Sequence, residues 1–230
     1  MDQDYAGRVV VVTGGTGALG SAVVKLLLER GAICHATGHL GSGKNQPNPH
    51  KNLHLHPVDC TDEKAVTDFY AKVGPMWASI HTIGGFSAAP IEQTRADDFR
   101  RQFELNTLSC FLCCREAIVA MRKTGQGGRI VNVAARAAVA PTSGMIAYAT
   151  AKSAVAALTQ SLAKETRDDQ IWINAVLPSI MDTPANRTSM SDADYSRWPT
   201  VEQVARTIAF LASPDNALTS GALVPDYGLA

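Results

Sequence analysis

Short unbroken apolar runs alternate along the chain with longer stretches in which apolar residues return at helical spacing. Val9, Val10, Val11 and Val12 form the first such run. A run with no polar alternation predicts a strand buried on both faces, as in a parallel sheet. Comparable runs predict strands over 32–37, 53–58, 78–83, 129–133, 171–177 and 222–224. Between them the spacing predicts helices over 21–30, 62–73 (with Thr61 as its cap), 94–123, 146–166 and 201–212. Strands that alternate with helices in this way predict an α/β fold: a doubly wound parallel sheet with helices on both faces. No linker or repeat interrupts the pattern, so residues 1–230 are expected to form a single domain.

The first strand runs directly into Thr13-Gly14-Gly15-Thr16-Gly17-Ala18-Leu19-Gly20, and a helix follows that Gly31 closes. Strand, glycine turn and helix together present backbone N–H groups and a partly positive helix end to a phosphate. A tight turn alone would also use Gly14 and Gly15; the strand before and the helix after favour the nucleotide reading, that of a Rossmann fold. Ligands of such sheets bind at the carboxyl ends of the strands. Thr13-Gly14, Gly84-Gly85, Ala134-Ala135 and Pro178-Ser179 all fall at ends of that kind.

Composition narrows the class. The 230 residues are 46% apolar and carry a formal net charge of zero, which argues for a soluble globular protein. Balanced charge gives no reason to expect nucleic acid or an anionic membrane as partner. No apolar run reaches the length of a membrane span, and the acidic start Met1-Asp2-Gln3-Asp4 does not resemble a signal peptide, so a cytoplasmic location is expected. Cys34, Cys60, Cys110, Cys113 and Cys114 include one C-x-x-C spacing. With no histidine or second cysteine pair adjacent in sequence, they are read as small buried packing residues and no metal is expected. His54 and His56, two apart on one strand face, are read as a solvated or edge-facing pair for the same reason.

The chemistry is carried by Tyr148 and Lys152, four apart and therefore on one face of their predicted helix. A free phenol titrates near 10; a cation one turn away stabilises the phenolate, which would tune Tyr148 as a general acid.

With these residues in place the chain resembles the short-chain dehydrogenase/reductase family over essentially its whole length. The resemblance rests on the 13–20 turn, Val58-Asp59, Asn106, Tyr148 with Lys152, and Asn174-Ala175-Val176-Leu177-Pro178 followed by Thr183-Pro184. It implies an NAD(P)-dependent enzyme. Gly14, Thr16, Gly17, Ala18, Leu19 and Gly20 would hold the pyrophosphate, and Asp59 the adenine amino group. Gly84, Gly85 and Pro178 would line the cofactor, and Ile180 and Thr183 would contact the nicotinamide carboxamide. Lys152 would bind the nicotinamide ribose, Tyr148 would be the acid/base, and Asn106 would hold a water in the proton relay. A homodimer or homotetramer acting on a small molecule is implied as well.

The departures from the family pattern are informative. Most members carry a serine where this chain has Ala135, and Thr82-Ile83-Gly84-Gly85 replaces the usual Asn-Asn-Ala-Gly. Thr142 or Ser143 are candidates to replace that serine. Both departures, with stretches 144–148, 177–187 and 189–198, resemble the dihydropteridine reductase branch. The function expected is hydride transfer to a small activated acceptor: a quinonoid dihydropterin, an imine or a carbonyl. The alternatives are a general carbonyl or 3-oxoacyl reductase and a non-catalytic NAD(P) sensor. The second strand ends Ala36-Thr37-Gly38-His39 without a carboxylate for an NAD ribose. His39, Ser42 and Lys44 would suit a 2′-phosphate, which tilts the cofactor, NADP or NAD, toward NADP. Met190, Tyr195 and Trp198 are placed either as a substrate lid or as packing on the last helix.

Overall fold

The computed structural model describes residues 4–38 and 47–229. Seven parallel strands form one sheet in the order β3-β2-β1-β4-β5-β6-β7. They are β1 (Val9–Thr13), β2 (Ile33–Thr37), β3 (Leu53–His56), β4 (Ala78–His81), β5 (Gly128–Val133), β6 (Ile171–Pro178) and β7 (Leu223–Asp226). The valine run of β1 is buried on both sides, as its lack of alternation predicts. Val11 packs with Val66, Phe69, Ala117, Met121 and Val155 on one face. Val10 and Val12 pack with Val23, Leu27, Val204 and Ile208 on the other.

Those faces are covered by α1 (Ala18–Glu29) and α7 (Val201–Leu211) on one side. On the other lie α2 (Glu63–Val73), α4 (Ser109–Thr124) and α5 (Ile146–Glu165). The remaining helices are α3 (Ala96–Phe103) and the short α6 (Pro184–Ser189). Strand order reverses between β1 and β4, so the ligand crevice of this topology lies at the carboxyl ends of those two strands.

Two local readings are corrected. Asp62, not Thr61, caps α2: its carboxylate accepts the Ala65 N–H at 3.0 Å, while Thr61 bonds back to Asp59. The helix expected over 94–123 is not uniform. A 3₁₀ turn precedes it, and the five residues Glu104–Leu108 between α3 and α4 are wound as π-helix. A π segment inserts an extra residue into the α ladder, a feature that concentrates at functional sites, and this one carries Asn106. His54 and His56 lie on the edge strand β3 as expected, and His56 Nε2 also lies 3.2 Å from His35 Nδ1 on the neighbouring strand.

The β1–α1 turn is tightly fitted against β4. A Cβ on Gly20 would collide with the Gly14 carbonyl and come within 2.7 Å of the Thr82 hydroxyl. Gly14 itself has φ +72°. Replacing Gly20 by alanine should therefore act as overpacking and cost about 1–3 kcal/mol. For a domain of this size that is a fall in Tm of about 2–12 °C. Thermal unfolding of Gly20→Ala measures it, and an unchanged Tm would mean that the turn has slack.

Candidate active site

The glycine turn is held open by threonines at the strand ends. The Gly15 N–H donates to the Thr37 carbonyl at 2.8 Å and the Gly14 N–H to the Thr37 hydroxyl at 3.2 Å. From β4, the Thr82 hydroxyl donates to the Thr13 carbonyl at 2.7 Å. The Thr16 side chain lies over Gly38, where any Cβ would strike it. Gly17 is the N-cap of α1. No side chain caps that end, and the first turn, which includes Ala18 and Leu19, holds no acid. A bare, partly positive helix end beside a turn with no room for side chains fits a phosphate-bearing dinucleotide.

Further along the same edge of the sheet three elements converge on Gly84. A Cβ there would sit 2.6 Å from Asn106 Oδ1 and 3.3 Å from Lys152 Nζ. Asn106 is buried and both ends of its amide are hydrogen-bonded, with one Oδ1 lone pair left over. Nδ2 donates to the Gly85 carbonyl at 3.0 Å and to the Gln102 carbonyl at 2.9 Å, while Oδ1 accepts the Gly85 N–H at 3.2 Å. The π winding thus aims Asn106 at the end of β4 and lets its side chain occupy a helix carbonyl. Thr107, next in the π segment, donates to the Ala151 carbonyl at 2.9 Å and ties it to α5.

Tyr148 and Lys152 lie on the first turns of α5. Lys152 Nζ donates to the Val133 carbonyl at 2.8 Å and stands 5.9 Å from the Tyr148 ring centroid. The Phe86 ring meets Tyr148 edge-on at 5.0 Å. Burial lowers Lys152 to about 8, against a smaller upward pull from Cys110. Burial also pushes the phenol of Tyr148 up, to about 12. Burial thus acts on the phenol in the opposite direction to the neighbouring cation. Lys152 spends a hydrogen bond on Val133, and desolvation keeps Tyr148 protonated. A protonated phenol is the form that donates.

Ala135 is buried at the end of β5, extended and without a hydroxyl, and the Thr142 hydroxyl is turned to the Met145 sulfur at 3.4 Å. Ser143 is exposed. Past Pro178, the last residue of β6, Ile180 is 39% exposed and Thr183 is buried, accepting the Asn186 N–H at 3.2 Å as the cap of α6. Asp59 follows β3, its carboxylate accepting from the Thr61 N–H at 2.9 Å and hydroxyl at 2.7 Å. Trp198 is buried with Tyr195 against it at 5.0 Å, and Met190 is exposed. His39, Ser42 and Lys44 lie outside the described residues. Sequence reasoning missed Thr37, Thr82, Phe86 and the Val133 carbonyl. The first two carried a signal, a threonine closing a strand beside a glycine turn. The other two carried none.

The sequence profile of the short chain dehydrogenases matches residues 8–194. The chain is 30% identical to a cis-4-hydroxycyclohexanecarboxylate dehydrogenase of Sinomonas cyclohexanicum, over 97% of this chain and 96% of that protein. It is 29% identical to carbonyl reductase [NADPH] 2 of Sus scrofa, over 97% and 95% of the two chains. The solved structure of ElxO with NADP bound superposes with a TM-score of 0.87 at 24% identity, covering 96% of this chain and 98% of that one.

Lys152 couples this geometry to pH. Its folded value of about 8 lies below the ordinary 10.5, so the unfolded chain binds the proton more tightly between those values. The burial penalty is fully present below about pH 8 and fades as pH rises toward 10.5. Between pH 7 and 10.5 the wild type should gain about 3 kcal/mol on Lys152→Met. Denaturant unfolding of both across that range checks it, and parallel curves would refute it.

Proposed function

This chain belongs to the short-chain dehydrogenase/reductase family and is an NAD(P)-dependent oxidoreductase; from that premise we propose that it reduces a small acceptor bearing an activated C=N bond, a quinonoid dihydropterin or an imine. The observation that carries the reading is Ala135. A carbonyl acceptor develops charge on oxygen, and a hydroxyl donor aimed at that oxygen is typically worth about 10²–10³ in rate. The hydroxyl is missing at Ala135, and Thr142 is engaged elsewhere. A conjugated C=N acceptor spreads its charge into a ring and is protonated on nitrogen, so it depends less on that donor. The end of β4, Gly84-Gly85, agrees with the pterin reductase branch.

The bound nicotinamide supplies hydride. Tyr148, half-buried and with its phenol held neutral by desolvation, gives the proton to the acceptor nitrogen. Lys152, fixed by Val133, orients the nicotinamide ribose, and Asn106 holds the water that returns a proton toward Tyr148. The 14–20 turn takes the pyrophosphate and Asp59 the adenine. Gly84, Gly85, Pro178, Ile180 and Thr183 enclose the nicotinamide end. Met190, Tyr195 and Trp198 cover the ring of the acceptor. The carboxylate-free end of β2, with His39, Ser42 and Lys44 beyond it, favours NADPH over NADH. Exposed Phe103, Phe111 and Val119 on the α3–α4 run suit a homodimer or homotetramer. No described helix is long and apolar enough to cross a membrane, and a cytoplasmic site of action is proposed. A general carbonyl reductase is the second reading, favoured by the named carbonyl reductase among its relatives.

Loss of reduced-nicotinamide absorbance on quinonoid dihydropterin, imines and simple ketones separates the readings. The wild type should turn over the C=N acceptors fastest, and Tyr148→Phe should lose at least about 10²-fold in kcat. Ala135→Ser should raise kcat/KM on ketones by about tenfold or more while leaving the C=N acceptors nearly unchanged. Wild-type ketone turnover as fast as any imine would favour the carbonyl reading. In parallel, NADPH should bind at least about tenfold more tightly than NADH. A lower Kd for NADH would overturn the cofactor preference.

A further inference from the structure

Beneath this site, on the same side of the sheet as α4, lies a buried set of soft donors that the reaction does not use. Cys110 and Cys114 are one turn apart on α4 and project from one helix face. His81 closes β4 opposite them. One ligand atom from each lies within 4.8 Å of the other two. His81 Nδ1 is 3.5 Å from Cys114 Sγ. A tetrahedral zinc with ordinary bonds to sulfur and imidazole sets those two atoms about 3.5 Å apart. A fourth donor is adjacent: Asn132 Oδ1 lies 3.4 Å from Cys114 Sγ and is hydrogen-bonded to His81 Nδ1 at 2.8 Å, a pair that opens by about 0.5 Å when an ion replaces the shared proton.

We propose that His81, Cys110 and Cys114, completed by the Asn132 amide oxygen, form a closed structural site for a thiophilic divalent cation, zinc. Charge balance favours a divalent ion. Two thiols each lose a proton as their metal–sulfur bonds form, and the resulting thiolates neutralise the ion, so a group with no net charge is left in the core. His81 stays neutral, its remaining hydrogen passing from Nδ1 to Nε2. The outer shell is already built. Nε2 faces Ser79 Oγ at 2.8 Å, and that hydroxyl is itself bonded to Tyr70 at 2.8 Å. Asn132 Nδ2 donates to Thr159 at 2.9 Å, which turns Oδ1 toward the cluster. Such partners fix the tautomer and aim of a ligand. None of the four side chains is more than 4% exposed, so no solvent position is open, as in structural rather than catalytic zinc. The ion is taken up as the chain folds and clamps α4 to β4, immediately beyond the π segment that carries Asn106.

The test is elemental analysis of the purified chain after exhaustive dialysis against chelator, followed by unfolding and refolding in Co²⁺. About one zinc per chain, and a tetrahedral cobalt spectrum with thiolate charge-transfer bands, are expected. Cys110→Ser and Cys114→Ser should each lose the retained zinc and the wild-type cobalt bands, whereas Cys34→Ala, on the opposite face of the sheet, should keep both. Should the serine variants not fold, the wild-type cobalt spectrum decides alone. No zinc together with an oxygen- and nitrogen-type spectrum, or bands that survive in Cys114→Ser, would overturn the proposal.

Discussion

The constraint on which the site rests is the approach of the β1–α1 turn to the end of β4. Gly20 lies on the carbonyl of Gly14, and Thr82 donates to the carbonyl of Thr13. No side chain fits between them. This contact sits where strand order reverses, and it leaves the N-terminus of α1 bare at the mouth of the crevice. The site beyond it depends on that placement, because Gly84 follows Thr82 by two residues and is the point on which Asn106 and Lys152 converge.

Around Gly84 the side chains are held by backbone more than by each other. Asn106 bonds to both peptide groups of Gly85, Lys152 bonds to Val133, and Thr107 bonds to Ala151. These backbone partners, on β5, on α5 and just beyond β4, position the polar groups in advance of any ligand. Desolvation then acts on the two titrating groups in opposite directions, lowering the ammonium and raising the phenol. Both shifts disfavour the charged form of the group.

The face of α4 behind this site is unusually polar for a core. His81, Ser79, Tyr70, Asn132 and Thr159 form a connected, buried hydrogen-bonded chain, with Cys114 against its middle. Buried polar groups are tolerated when each is satisfied, and such networks specify one arrangement of the elements they join. Here they join β4, β5, α2, α4 and α5, the elements that carry or support Asn106, Gly84 and Lys152.

Several features were legible in the sequence because they depend on local physics. The valines of β1 lack alternation because both faces are buried. The glycines at 14 and 20 mark a turn without room for Cβ, and the four-residue spacing of Tyr148 and Lys152 places them on one helix face. Ala135 announced the missing donor. Other features required the tertiary structure, because they arise from residues distant in sequence or from competition between nearly equal options. Thr61 was placed as the cap of α2, but the Asp62 carboxylate is the group that meets Ala65. A π turn differs from an α turn by one hydrogen-bond step, and contacts to Gly85 and Ala151 chose it around Asn106. The phenol's shift followed from how deeply the packing around α5 desolvates it. The C-x-x-C spacing pointed to Cys110 with Cys113, yet helical geometry turned Cys110 and Cys114 together toward His81, a strand away in the fold and 29 positions earlier than Cys110 in the chain. Periodicity reports which face of an element is buried; only packing decides what that face meets.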